Sequence, residues 1–258
     1  MADADALREA GLPGRPTGPD SPQPAAVPGD DSVMSLVDHL GELRSRIIRI
    51  GLAVAVGGVV GFYLSDRIID VLIAPIGKAQ TLGPGDAFFI HLKISFVVGI
   101  ILAMPVILYQ GWAFIAPGLT PAERRTIRPW VPLALFFFTL GVAVAYFILP
   151  FATAFLLSFN SERLVNGIAA GPYFDFVTTL FLAFGIVMEF PIVLFGLSRV
   201  GVVTSTRLAA SRRYVILGIA IFSAIVTPGG DLVSPFVMGV TMYVLYELTI
   251  IFIRRSGR

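Results

Sequence analysis

Val131-Pro132-Leu133-Ala134-Leu135-Phe136-Phe137-Phe138-Thr139-Leu140-Gly141-Val142-Ala143-Val144-Ala145-Tyr146-Phe147-Ile148-Leu149 is the stretch whose reading decides the fold. It holds nineteen residues and no charge. At a rise of about 1.5 Å per residue it makes a helix of roughly 28 Å, close to the ~30 Å hydrocarbon core of a bilayer. Working outward, similar runs recur on both sides: Ile47 to Leu64, Ile94 to Phe114 interrupted by Pro105, Phe174 to Leu197, Tyr214 to Val226, and Leu232 to Ile253. Six spans are expected, with Pro150 ending the third and Phe151 to Phe159 packing at the outer interface. The fifth, only thirteen residues long, reaches roughly 20 Å and falls short of the membrane core. Composition agrees: of 258 residues, 56% are apolar and 14% charged, whereas soluble domains run near 25% charged. Thirty-six charges cannot cover a soluble globule of this size, so a soluble enzyme is excluded.

Charge placement orients the spans. Thirteen Lys and Arg fall on segments assigned to the inside, among them Arg44, Arg46, Arg49, Arg124, Arg125 and Arg212, against four outside. That bias puts both termini in the cytoplasm. The fold class is an all-α integral membrane protein with six transmembrane helices and a short region at the fifth and sixth spans. Three parts are expected: a disordered Pro/Gly-rich tail over 1–33, a membrane domain over 34–254 and a short basic tail over 255–258. The first tail is acidic and lacks an apolar run, so it is not a cleaved signal. Within the membrane domain, Ser35 with Asp38 suggests a helix start, and Leu36, Leu40, Leu43 and Ile47 recur at helical spacing. Ile68 to Ile73, short and followed by Pro75, reads as a helix on the outer surface.

Zero cysteines exclude disulfides, cysteine-ligated zinc and thiol catalysis. The two histidines, His39 and His91, are too far apart to suggest a metal cluster, and a net charge of +2 does not point to nucleic acid. No Walker loop, Rossmann fingerprint or nucleophile elbow is present. The chemistry rests on carboxylates. Glu189 lies deep in the fourth span with no Lys or Arg in it; a lone charge there costs a few kcal/mol, so the group is neutral or paired with a polar group on another helix. Glu123 closes Thr120-Pro121-Ala122-Glu123, a capping box by spacing. Glu42 is spaced to pair with Arg46 at i, i+4. At the inner face, Glu42 and Glu123 together can also receive guanidinium groups by bidentate bonds. Tyr109, Gln110 and Glu247 are weaker signals, and Glu247 is explained by snorkelling.

Ser35, His39-Leu40, Glu42-Leu43-Arg44 and Arg46 resemble the opening of the TatC family, the polytopic subunit of the twin-arginine protein translocase. Further likenesses follow in order: Pro105 to Gln110 with Trp112 to Leu119, Glu123-Arg124-Arg125, Phe184-Gly185 with Glu189 and Pro191, Arg212-Arg213-Tyr214, Thr227-Pro228 with Asp231, and Met242-Tyr243 with Tyr246-Glu247. Each piece is modest, but their shared order from about residue 34 to 254 is specific. The resemblance implies a concave bundle in the bacterial cytoplasmic membrane that binds twin-arginine signal peptides and exports folded cargo using the proton motive force. It implies the single-span partners TatA and TatB, or TatA alone, in a multimeric complex, with no enzyme activity, cofactor or metal.

Residue by residue, the resemblance makes Glu42 and Glu123 the site for the signal's arginines, with Arg44 and Phe114 beside them. It makes Pro75 and Asp231 outer-side functional positions and Glu189 the intramembrane polar site. This sequence departs from the family at Gly229-Gly230, where a second proline is usual, at Pro235 in place of a glutamine, and at Thr241 in place of a proline. The glutamine position touches the single-span partners in the family, so Thr227 or Ser234 is expected to substitute. The rival reading is a proton-coupled small-solute transporter with Glu189 as proton site; it needs a polar midplane constellation that the spans do not supply. A purely structural scaffold leaves Glu42 and Glu123 unexplained.

Overall fold

The computed structural model describes residues 31–118, 120–121, 124–125, 129–159, 167–199, 201–227 and 231–255. The chain divides into two compact units, Met1–Gly41 and Glu42–Arg258. In the first, the described residues are the opening turns of a helix; the tail through residue 30 lies outside them. Eight α-helices are assigned among the described residues: α1 (Asp31–Ile73), α2 (Asp86–Ile115), α3 (Trp130–Leu157), α4 (Ala170–Val187), α5 (Phe190–Arg199), α6 (Ser205–Ala210), α7 (Arg212–Val226) and α8 (Val233–Arg255). No strand occurs among these residues, only an isolated parallel bridge between Gln80 and Ala169.

α1 unites what the sequence divides into three pieces. Its 43 residues run from the leading amphipathic segment through the first span to Ile73. Ser35 and Asp38 therefore sit inside the helix rather than at its start, and Ile68 to Ile73 is the helix's last turn and a half rather than a separate surface helix. Nothing between Asp31 and Ile73 breaks it: the first proline is Pro75, and the Ile73 carbonyl then accepts from Ile76 and Gly77 at 2.9 and 3.0 Å, with Gly77 at φ 76°. That positive φ suits glycine at a helix end.

The prolines also act differently from expectation. Pro105 and Pro150 lie inside α2 and α3, so neither interrupts nor ends its span, and Phe151 to Leu157 continues α3. Each ring removes one N–H from the ladder, a loss that membrane helices tolerate. The real break is in the fourth span. α4 stops at Val187 and α5 starts at Phe190. Pro191 has no N–H to give the Val187 carbonyl, and Glu189 sits in the gap, its N–H donating to the Ile186 carbonyl at 3.0 Å.

Among the described residues, five segments are long and apolar enough to cross a membrane: His39–Ile73, Asp86–Ile115, Trp130–Leu157, Ala170–Arg199 and Val233–Arg255. α7 has 15 residues, two more than its apolar run and still only about 22 Å. α4 is the most enclosed element: Phe174, Val177, Leu180 and Phe184 are buried at its centre against Leu72, Ile94, Ala145, Leu149 and Met238. A second cluster joins Phe195, Leu208, Tyr246, Ile250 and Ile253, with Trp130 stacked on Phe195 at 3.7 Å between ring centroids.

Small residues set two crossings. A Cβ on Gly57 would stand 2.8 Å from the Gly99 carbonyl oxygen, and one on Gly99 2.7 Å from that of Val54, so α1 and α2 touch backbone to backbone. At Gly141 and Gly185 the same holds for α3 and α4: a Cβ on Gly185 would lie 2.6 Å from the Phe138 ring. Close approach through small residues is how membrane helices pack when water supplies no apolar driving force. Phe147, Phe151, Ile225 and Phe236 are each at least two-thirds exposed, which is the lipid-facing surface of a membrane protein.

Candidate functional site

Where α1 passes the C-terminal end of α2, one guanidinium gathers the site. Arg46 Nε donates to Glu42 Oε1 at 3.0 Å, and its Nη2 pairs with the same oxygen. Nη1 donates to Gln110 Oε1 at 3.0 Å, and Nη2 also donates to the Ala113 carbonyl at 3.0 Å. The helical i, i+4 spacing puts Glu42 and Arg46 on one face, while Gln110 and Ala113 come from α2. The sequence anticipates the Glu42–Arg46 pair; it does not anticipate that the same guanidinium fastens α1 to α2. Gln110, a weak signal by spacing, is buried and is one of the two α2 acceptors.

Phe114 follows Ala113, the α2 residue whose carbonyl accepts from Arg46. Arg44 is exposed on the same helix. Glu123 lies outside the described residues, as do Arg128, Gly229 and Gly230. Near the end of α2, a cavity of about 600 Å³ is lined by Tyr109, Trp112, Ala116, Pro117, Pro121, Arg124 and Arg125. The Arg124 guanidinium stands 5.6 Å from the Trp112 ring centroid, a cation–π distance.

Glu189 occupies the α4–α5 break. Its carbonyl accepts from Ile192 at 3.0 Å and Val193 at 3.1 Å, starting α5, while its Oε1 is buried with no hydrogen-bond partner among the described residues. The expected polar partner on another helix is therefore not found for that oxygen. A buried acceptor without a donor is costly, and the helix break aims it into the bundle rather than along a continuous helix face.

The ends of α1 and α2 remote from Glu42 carry further polar ties. His91 Nε2 lies 2.9 Å from Asp66 Oδ1, and Nδ1 is 2.7 Å from the Ala87 carbonyl; Lys93 pairs with Asp175. Both histidine nitrogens thus make hydrogen bonds, and no group of three metal-ligating side chains occurs among the described residues. Pro75 borders a cleft of about 210 Å³ with Tyr146, Phe147, Pro150 and Phe151. At the α7–α8 connection, Asp231 Oδ1 accepts from the Ser234 N–H at 2.6 Å, capping the first turn of α8. Asp231 Oδ2 and Ser234 Oγ are buried with no partner among the described residues. Thr227 is buried too, its hydroxyl donating to the Ser223 carbonyl at 2.5 Å.

Glu247 corrects one reading. It does not snorkel alone: Arg212 Nη2 donates to its Oε2 at 2.8 Å, and Arg212 Nε stands 2.7 Å from Oε1 at ion-pair distance without a hydrogen bond, an ion pair between α7 and α8. The pairing joins helices that meet only in three dimensions, so sequence spacing carries no sign of it.

The geometry places a carboxylate, an arginine clamp and aromatic side chains at one end of the α1–α2 pair, and known proteins share the chain that builds it. The model of the family described as Sec-independent protein translocase protein (TatC) matches residues 38–240. The Sec-independent protein translocase protein TatC of Desulforapulum autotrophicum is 38% identical over 229 residues, covering 86% of this chain and 84% of the relative. Its counterpart from Aquifex aeolicus is 39% identical over 226 residues, covering 84% and 93%. A crystal structure of the twin arginine translocase receptor TatC in detergent superposes with a TM-score of 0.74 at 37% identity, covering 83% of this chain and 99% of that one. The likeness runs through every helix from α1 to α8 and includes the turn that bears Glu42, and on that extent the chain belongs to the TatC family of Sec-independent protein translocase proteins.

Proposed function

We propose that this chain is the signal-peptide receptor and core subunit of a twin-arginine translocase, exporting folded proteins across the bacterial cytoplasmic membrane on the proton motive force. The observation that carries the reading is the unbroken likeness over residues 38–240 to the translocase family, together with relatives named as translocase proteins and as the twin arginine translocase receptor. None of these relatives lends support to a solute transporter.

In this reading Glu42 and Glu123 each take one guanidinium of the signal's arginine pair, on the cytoplasmic face. Arg44 and Phe114 flank the bound segment, the first by excluding misplaced cations, the second by packing its apolar residues. Lysine carries the same charge but no planar fork, so it forms neither bidentate pair. The signal's apolar segment then lies along the helical groove near Glu189. The chain crosses the membrane six times, with α7 and α8 as the short hairpin and both termini inside. Pro75 and Asp231 act at the outer side, and Thr227 and Ser234 meet the single-span subunits TatA and TatB, or TatA alone. The work is recognition and rearrangement, with no covalent step.

The test is binding of a labelled twin-arginine signal peptide to the purified full-length chain in detergent. Wild type is compared with Glu42→Ala, Glu123→Ala and the double variant, using an Arg-Arg and a Lys-Lys peptide. Loss of a bidentate pair is expected to weaken the Arg-Arg peptide at least about tenfold. Equal affinity across all variants and both peptides would remove the carboxylate-pair site and return Glu123 to a helix cap.

A further inference from the structure

We infer that Arg46 is a positioning residue for Glu42, holding its carboxylate against the end of α2 in the orientation that distinguishes arginine from lysine. The inference rests on Glu42 being a receptor carboxylate.

Arg46 differs from its neighbour Arg44 in what it touches. Arg44 is exposed, whereas the Arg46 side chain is only 16% exposed and is fastened at four points. Two bonds go to Glu42 Oε1 and two to α2, at Gln110 Oε1 and the Ala113 carbonyl. A guanidinium has five N–H donors in a rigid plane, so four bonds fix both its position and its tilt. The plane then fixes the carboxylate it holds. The α2 acceptors are a buried glutamine and a main-chain oxygen, which keep Arg46 seated when a ligand arrives; this is the geometry of a clamp rather than of a stand-in waiting to be displaced. Holding a side chain in one rotamer before its ligand arrives spares the rotamer freedom that binding would remove. Preorganisation removes that loss and aligns the carboxylate for a planar fork. An ammonium ligand, which needs no alignment, gains little from it.

The clamp therefore predicts a change in discrimination, not only in affinity. The full-length chain in detergent is titrated with an Arg-Arg and a Lys-Lys signal peptide, as wild type, Arg46→Gln, Arg46→Lys, Gln110→Leu and Glu42→Gln. Arg46→Gln is expected to weaken the Arg-Arg peptide about tenfold and leave the Lys-Lys peptide unchanged. Arg46→Lys is expected not to rescue, because a point charge cannot hold both helices. Gln110→Leu keeps the Glu42–Arg46 pair while removing one α2 tether, and is expected to cost about threefold for the Arg-Arg peptide alone. It also carries the test should Arg46→Gln fail to fold. An equal loss for both peptides would assign Arg46 a purely structural role and overturn the inference. Unchanged or tighter Arg-Arg binding in Arg46→Gln would do the same, the tighter result marking a resident competitor. If Glu42→Gln loses the peptide while Arg46→Gln and Gln110→Leu keep it, only the positioning role falls. If Glu42→Gln binds as wild type does, the receptor reading of Glu42 falls with it.

Discussion

Tyr173 lies buried at the start of α4 and donates its hydroxyl to the Leu72 carbonyl at the end of α1. That carbonyl belongs to a helix end, where orphan acceptors need a partner. Replacing Tyr173 with Phe keeps the ring and removes the donor, so the chain is expected to lose about 1–3 kcal/mol of stability. Thermal unfolding in detergent checks this: a lowered midpoint with unchanged signal-peptide affinity is the expected outcome. The Arg212–Glu247 ion pair is smaller in effect because its side chains are 44% and 26% exposed. Glu247→Gln is expected to lower stability by about 1 kcal/mol, and the loss should shrink in high salt. Both contacts were invisible in the linear sequence. A tyrosine in an apolar run announces no acceptor, and Glu247 at its depth is as consistent with snorkelling as with pairing. Glu42 and Arg46 are the counterexample, since helical periodicity alone makes them neighbours.

At the scale of elements, glycines decide which helices touch. A side chain at Gly99 would meet main-chain atoms of α1, with the Gly58 nitrogen and the Val54 oxygen both at 2.7 Å, and backbone cannot step aside as a rotamer can. Gly99→Leu is therefore expected to cost at least about 1–3 kcal/mol and to separate α1 from α2. The Arg46 clamp spans that same pair, so peptide affinity should fall as well. Gly111→Ala is the control: a Cβ there meets nothing within 4 Å, and the greater helix propensity of alanine should raise stability by up to about 1 kcal/mol. Detergent melting of the two variants, with peptide titration of each, separates the outcomes. Prolines behaved less legibly. Pro105 and Pro150 lie within continuous helices, while Pro191 coincides with a break. A sequence supplies the missing N–H in all three cases, but whether the chain bends depends on what neighbouring helices press against it.

For the molecule as a whole, the mismatch between α7 and the bilayer is the controlling quantity. In the six-crossing reading proposed above, its 15 residues span about 22 Å against a core of ~30 Å, and lipid thins beside it. Melting in vesicles of short-chain phosphatidylcholine is expected to occur at higher temperature than in long-chain vesicles, and the reverse order would contradict a short membrane-spanning α7. The absence of cysteine makes the six-crossing orientation directly testable. Single cysteines at Lys78 and at Arg207 should react with a membrane-impermeant maleimide from the outside and only from the inside, respectively. Labelling of both from one side would require an even number of crossings between them and contradict the three segments, Asp86–Ile115, Trp130–Leu157 and Ala170–Arg199, that separate them.

Amino-acid order alone determined that the chain enters a membrane and which family it belongs to. Hydrocarbon length, arginine placement and the run of small motifs are properties of linear segments, and each acts before any helix meets another. Glu42, Arg44, Phe114, Glu189, Pro75 and Asp231 were singled out from the sequence as single positions. Tertiary structure decided what those positions touch. It made one helix of three predicted pieces, opened the fourth span at Glu189, buried Thr227 and Ser234, and tied Arg46 to Gln110 and the Ala113 carbonyl across two helices. Such contacts depend on helix crossings and their depth, which backbone approach through glycine sets in three dimensions. No period or spacing along one strand of sequence encodes the partner on another helix.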